Sequence, residues 1–290
     1  MKNMKQFILG AVLLLLYSNA RAQDPNFYIY LCLGQSNMEG HAKFEPQDTL
    51  NTNSRFKMMS AVDCTSLNRK QGEWYTAVPP LSRCDTGLTP SDYFGRTMVE
   101  NLPQNVSVGV INVAVGGCKI ELFDKENYQE YIATSPDWLK NIVKNYDNDP
   151  YARLVAMAKI AQKSGVIKGI LLHQGESNTG DTLWPQKVKK VYDALLKDLN
   201  LNPKLVPLLA GEVLGQDQNG KCASMNVIIN KLPETIPNSY IIPSAGCEGV
   251  ADQLHFSAAG YRELGKRYAT KTLALLGNKA LPNKTTTANK

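Results

Sequence analysis

Apolar and β-branched residues gather along this chain in short, nearly unbroken runs, at residues 27–33, 106–115, 166–173 and 205–212, with a shorter one at 240–242. A strand with one wet face alternates apolar and polar residues. Runs without alternation belong to strands covered on both faces, as in a parallel sheet between helices. Between the runs the period changes to 3.6. Leu154, Met157 and Ala161 share one helical face behind Asp149-Pro150, a capping side chain with proline at the first helical position, and Gly165 is expected to stop that helix. Val188, Val191, Tyr192, Leu195 and Leu199 mark a second helix. Tyr261, Leu264 and Tyr268 mark a third, opening at Ser257 and ending at Gly277. The expected fold class is α/β, a three-layer α/β/α sandwich on a mostly parallel sheet of five strands.

Two segments break this rhythm. Residues 41–90 are polar, rich in turn formers and carry two cysteines, so they read as a long stapled excursion from one domain over residues 23–277. Residues 278–290 read as a flexible tail. At the other end, Lys2 and Lys5 precede an apolar stretch at residues 7–16 and the small-residue site Ala20-Arg21-Ala22, the pattern of a secretory signal peptide over residues 1–22. The stretch is shorter than the ~20 apolar residues that span a bilayer. The protein is therefore expected to be exported, periplasmic or extracellular, with no membrane partner. Loss of Lys2, Lys5 and Arg21 would take the formal charge from +6 to +3. The remaining positive residues are scattered and not interleaved with aromatic ones, which argues against a nucleic-acid partner. Export permits disulfides. Cys64 and Cys84 flank one polar loop and Cys222 and Cys247 another, so these two bridges are expected, with Cys32 a buried free thiol in the first strand. No Cys-x-x-Cys occurs and the three histidines are scattered at 41, 173 and 255, so no metal centre is expected.

In a parallel α/β sheet, loops and helix N-termini meet at the carboxyl ends of the strands, and ligands bind there. The residues with chemistry sit in those places. Gly34-Gln35-Ser36-Asn37-Met38 follows the first run, Gly116-Gly117-Cys118 the second and His173-Gln174-Gly175-Glu176 the third, while Asp252-Gln253-Leu254-His255 precedes the last helix. A serine at the tip of a buried strand and an Asp-x-x-His supply a nucleophile, a base and a group that orients the base.

These blocks, in this order and from about residue 27 to 276, resemble those of SGNH-type hydrolases. More narrowly, they are similar to the acetylesterases of carbohydrate esterase family six and the sialate O-acetylesterase-like proteins. The resemblance implies a flavodoxin-like sandwich and a serine esterase that removes O-acetyl groups from carbohydrate without metal or organic cofactor. It implies Ser36 as nucleophile, His255 as base and Asp252 as the residue that orients it. It implies an oxyanion hole formed by the backbone N–H groups of Ser36 and Gly117 and the side-chain amide of Gln174. Gln35, Asn37 and Glu176 become supporting or substrate-binding residues, with Glu176 expected to anchor its loop. Cys118 stands where relatives often carry a hydroxyl residue. Acetyl xylan is the expected substrate. O-acetylated sialic acid would keep the reaction and change the acceptor, and a carbohydrate-binding protein that had lost its chemistry would keep only the fold.

Each residue alone has a plainer reading. Ser36 could cap a helix starting at Asn37, Gly116-Gly117 could be a tight turn and His173 a satisfied core histidine, while His41 reads equally as a solvated loop residue or, as the resemblance implies, as a basic residue near the substrate. Trp74, Tyr75, Trp138 and Trp184 could form a sugar-stacking surface, but aromatic residues in loops pack more often than they bind, and they are not placed in the site. An ordinary α/β-hydrolase would need G-x-S-x-G, and a dinucleotide binder would need G-x-G-x-x-G after the first strand. Neither occurs.

Overall fold

Every apolar run becomes a strand in the computed structural model, which describes residues 23–50 and 52–277. The strands are β1 (Asp24–Gly34), β2 (Phe56–Met59), β3 (Trp74–Thr76), β4 (Ser107–Ala114), β5 (Gly165–His173), β6 (Leu208–Gly211) and β7 (Ser239–Ile242). They form one sheet in the order β3-β2-β4-β1-β5-β6-β7, parallel except for the antiparallel pair β2 and β3. The sheet therefore has seven strands, not five. The two extra strands come from residues 41–90, so that segment is not only a surface excursion: it extends the sheet and supplies its antiparallel edge. At four and three residues these strands are too short to show a period within a polar stretch. The expected signal peptide and tail lie outside the described residues.

Side chains alternate across β1 and build a core on each face. Ile29, Leu31 and Leu33 pack on one side with helices Pro150–Ala161 and Trp184–Asp198, and Tyr30 and Cys32 on the other with helices Pro90–Asn101 and Ala258–Leu275. We label the helices used below α1 (Ser36–Glu39), α2 (Pro90–Asn101), α3 (Tyr128–Thr134), α4 (Asp137–Val143), α5 (Pro150–Ala161), α6 (Trp184–Asp198) and α7 (Ala258–Leu275). The caps are where the sequence places them. The Asp149 carboxylate accepts from the Ala152 N–H at 2.8 Å, and the Ser257 hydroxyl accepts from Gly260 N–H at 3.1 Å. Gly165 does not end α5, which closes at Ala161, but opens β5. Among the described residues, no helix is long and apolar enough to cross a membrane.

The registers bring the loops together. Gly34 pairs with Ala114 on one side and with His173 on the other, so β1, β4 and β5 end at the same level. Gly34 has φ 151°, and a Cβ there would lie 2.0 Å from the carbonyl oxygen of His173. Only glycine allows the chain to turn here against β5. Chain order reverses across β1, since β4 lies to one side of it and β5 to the other, which is where such a sheet opens a crevice.

The disulfide expectation is half met. Cys64 and Cys84 are bonded, whereas Cys222 and Cys247 are free, as are Cys32 and Cys118. Cys247 is buried in the core beside α7, while the Cys222 thiol faces the carbonyl oxygen of Glu176 at 3.6 Å, so the two side chains have separate surroundings.

Candidate active site

The Asp252-to-His255 segment is a self-contained turn. One carboxylate oxygen of Asp252 accepts from the backbone N–H groups of Leu254 and His255, at 2.8 and 3.0 Å. The other lies 2.7 Å from Nδ1 of His255. Burial opposes ionisation of Asp252, but the hydrogen bonds from the His255 ring and the two N–H groups outweigh it and hold the carboxyl down at about 2. Nε2 of His255 stands 2.7 Å from Oγ of half-buried Ser36, at the start of α1. With Nδ1–H donated to Asp252, Nε2 is free to accept the serine proton. An unbroken path therefore runs from hydroxyl to carboxylate, across 219 residues of sequence between Ser36 and His255.

Beside Ser36 lies the Gly116-Gly117 turn. A Cβ on Gly116 would be 3.8 Å from Cβ of Ser36, and exposed Gly117 has φ 69°, which favours glycine. The turn is held from below by Glu39, at the end of α1. A hydrogen bond from the Gly116 backbone favours the charged form of that carboxylate, which also accepts from Arg83 at 2.8 Å. Burial still pushes the Glu39 carboxyl above its usual range against both partners. Buried Cys118 follows, its thiol 3.7 Å from the carbonyl oxygen of Gly34, so a weak sulfur contact joins this turn to the nucleophile strand.

Gln174, expected at the oxyanion, is fully buried behind Gln35. Its carbonyl accepts from the indole N–H of Trp184, and its amide donates to Oδ1 of Asn178 at 2.7 Å and Oε1 of Gln35 at 3.1 Å. Obligate donors fix the orientation of all three amides. The Trp184 N–H can only donate, Asn178 Oδ1 also accepts from the Ile120 N–H, and Gln35 Oε1 also accepts from the Ser177 N–H. The Gln174 amide thus donates to acceptors within the protein, with Gln35 one of them.

Asn37 joins three blocks. Its amide donates to Glu176 and to the carbonyl oxygen of Leu254, and its oxygen accepts from the Tyr261 hydroxyl at 2.6 Å. Glu176, whose side chain is 7% exposed, therefore anchors the histidine loop through Asn37, and burial pushes its carboxyl up. His173 lies fully buried 3.9 Å from Glu176, and burial drives it down to about 3, so it is neutral. Among the described residues neither of its ring nitrogens has a hydrogen-bond partner.

The chain matches, over residues 26–274, the family described as carbohydrate esterase, sialic acid-specific acetylesterase. It belongs to this family. Three solved structures share the fold. A protein of Arabidopsis thaliana is 20% identical with a TM-score of 0.65, covering 86% of this chain and 98% of its own. NanS is 16% identical with a TM-score of 0.63, covering 88% and 99%. A carbohydrate acetylesterase from Xanthomonas citri is 17% identical with a TM-score of 0.60, covering 87% of this chain and 57% of its own. Membership makes the protein a carboxylic ester hydrolase of the carbohydrate acetylesterase type, on an SGNH-type fold.

In this acetylesterase, two residues outside the expected set stand at the site. His41 stacks on His255, with ring centroids 3.7 Å apart and planes 11° from parallel, and its Nε2 lies 3.9 Å from Asp252. Burial and the neighbouring imidazole lower its tendency to protonate. His41, Asp252 and His255 are close enough to suggest a metal site, but an imidazole binds a metal in its own plane. Two stacked parallel rings share no such point, so the cluster does not fit a cation without rearrangement. The second residue is Trp138, which packs on Gly117. The sequence offered Trp138 only as one of four aromatic residues that could stack on sugar, and nothing in its spacing singled it out. Of the other aromatic candidates, Trp184 supports Gln174 from the core, and Trp74 packs edge-on against Phe27 with centroids 4.8 Å apart.

Proposed function

We propose that the protein is an exported serine O-acetylesterase that releases acetate from acetylated carbohydrate through an acyl-enzyme on Ser36. The observation that carries this reading is the continuous Ser36–His255–Asp252 path, with 2.7 Å at each link. Oγ of Ser36 attacks the acetyl carbonyl as Nε2 of His255 takes its proton, and Asp252 stabilises the resulting imidazolium. The oxyanion forms against the backbone N–H groups of Ser36 and Gly117, each such donor worth about 3 kcal/mol in the transition state. Gln174 acts through Gln35, which it holds in place. His255 then protonates the departing sugar oxygen and activates the water that frees acetate. No step calls for a metal or an organic cofactor.

Acetyl xylan remains the first substrate to test. The family's description favours O-acetylated sialic acid as the second. Acetate release by the full protein and by Ser36→Ala, both with native circular dichroism, tests the mechanism on the two substrates side by side. Activity abolished by the substitution is expected. Glycan binding without acetate release, and no labelling of Ser36 by a serine-directed phosphonate, would mean a binding protein instead.

A further inference from the structure

The three tryptophans of this chain have different fates, and only Trp138 shows a large surface, 54% of its area. Its place is fixed. The residues that anchor α4, Leu139 and Val143, are 1% and 0% exposed. The six-membered ring edge of Trp138 presses on the oxyanion turn, since a Cβ on Gly117 would lie 2.5 Å from Cη2 and 3.1 Å from Cζ3. Gly116, one residue earlier, comes within 3.8 Å of Ser36 by the same measure. An indole with half its surface open therefore flanks the nucleophile at a distance of one turn. Half-buried Ser177 donates to the carbonyl of Gly117 at 2.9 Å and adds a hydroxyl to the same rim.

We propose that Trp138 is the stacking platform of a pyranose subsite, holding the sugar ring whose O-acetyl group reaches Ser36. The proposal rests on the carbohydrate esterase reading above. An aromatic face carries the negative part of the ring quadrupole and attracts the weakly positive C–H groups that line one face of a pyranose. Apolar surface left open beside a concave polar site is where a ligand is expected to cover it. The platform accounts for a glycine at 117 twice over, since a side chain there would strain the backbone and displace the indole.

The test compares wild type, Trp138→Ala and Trp138→Phe on acetylated xylotriose, 9-O-acetylated N-acetylneuraminic acid and 4-nitrophenyl acetate. Leu205→Ala, exposed at the far end of the sheet, is the control. The ratio of kcat/KM on the hydrolysed glycan to that on the aryl ester should fall at least tenfold in Trp138→Ala, through KM, and recover to within about threefold in Trp138→Phe. An unchanged ratio, or an equal fall on both esters, would overturn the platform. In parallel, Ser36→Ala is titrated with unacetylated xylotriose and N-acetylneuraminic acid, following tryptophan fluorescence. A change that disappears in Ser36→Ala/Trp138→Ala supports the subsite, and no change with either sugar overturns it. If wild type cleaves the aryl ester but no glycan, the carbohydrate esterase reading fails, and the titration still decides the subsite.

Discussion

Asp252 uses its two oxygens differently, one to hold the backbone turn and one to hold the imidazole. Asp252→Asn keeps an oxygen for the backbone but offers the ring an amide, so kcat/KM should fall by about 10³–10⁴-fold with little change in melting temperature. Because the folded carboxyl is depressed to about 2, its contribution to stability is complete above the ordinary carboxylate range near 4 and is lost as the pH falls towards 2. Denaturant midpoints between pH 5 and pH 2 should show that acid loss shrink in Asp252→Asn. Glu176 has the opposite sign. Its folded carboxyl is raised, so the fold is least penalised below the ordinary carboxylate range and loses stability as the pH rises from that range towards the folded value. Glu176→Gln keeps an acceptor for Asn37 and should flatten that slope above the ordinary carboxylate range, with activity within a few-fold of wild type. Glu176→Ala, which frees Asn37 and the histidine loop, should lower kcat at least tenfold. The Asp-x-x-His turn was legible because it is local: its spacing alone brings carboxylate and imidazole to one side. The partners of Gln174 were not, because the Trp184 indole that donates to its oxygen comes from α6 and meets it only once that helix has docked.

The excursion over residues 41–90 shows the same limit for whole elements. Strands β1, β4 and β5 announce themselves because burial on both faces demands long apolar runs, while β2 and β3 borrow their burial from neighbours and leave almost no pattern. This excursion also reaches the chemistry. Cys84 is bonded to Cys64, Arg83 next to it pairs with Glu39, and Glu39 holds Gly116. Arg83→Met would leave a buried carboxylate unpaired and should cost about 3 kcal/mol by denaturant unfolding, lowering kcat more than it raises KM. Cys64→Ser/Cys84→Ser should also cost about 3 kcal/mol for a bridge spanning 20 residues. Thiol titration of the denatured wild-type protein should find four free groups, those of Cys32, Cys118, Cys222 and Cys247; two would restore the expected second bridge.

Over the whole molecule, one central strand sets the level at which all the reactive loops emerge. Gly34→Ala would drive a methyl group into the carbonyl of His173 and should prevent stable folding or lower the melting temperature by more than 10 °C in a thermal scan. The order of the blocks was readable because parallel topology sends successive strands to one edge, whereas strand order, and with it the seat of the cleft, depends on crossovers that no local pattern records. The nucleophile directly follows the first strand and its base sits in the turn before the last helix, 219 residues later. Ester cleavage thus works as a coincidence detector for the finished fold. A nascent chain that has not yet reached His255 holds a serine with no proton acceptor, so turnover begins only when the two ends of the domain have met, and the catalytic rate itself becomes a measure of how much of a preparation is correctly assembled.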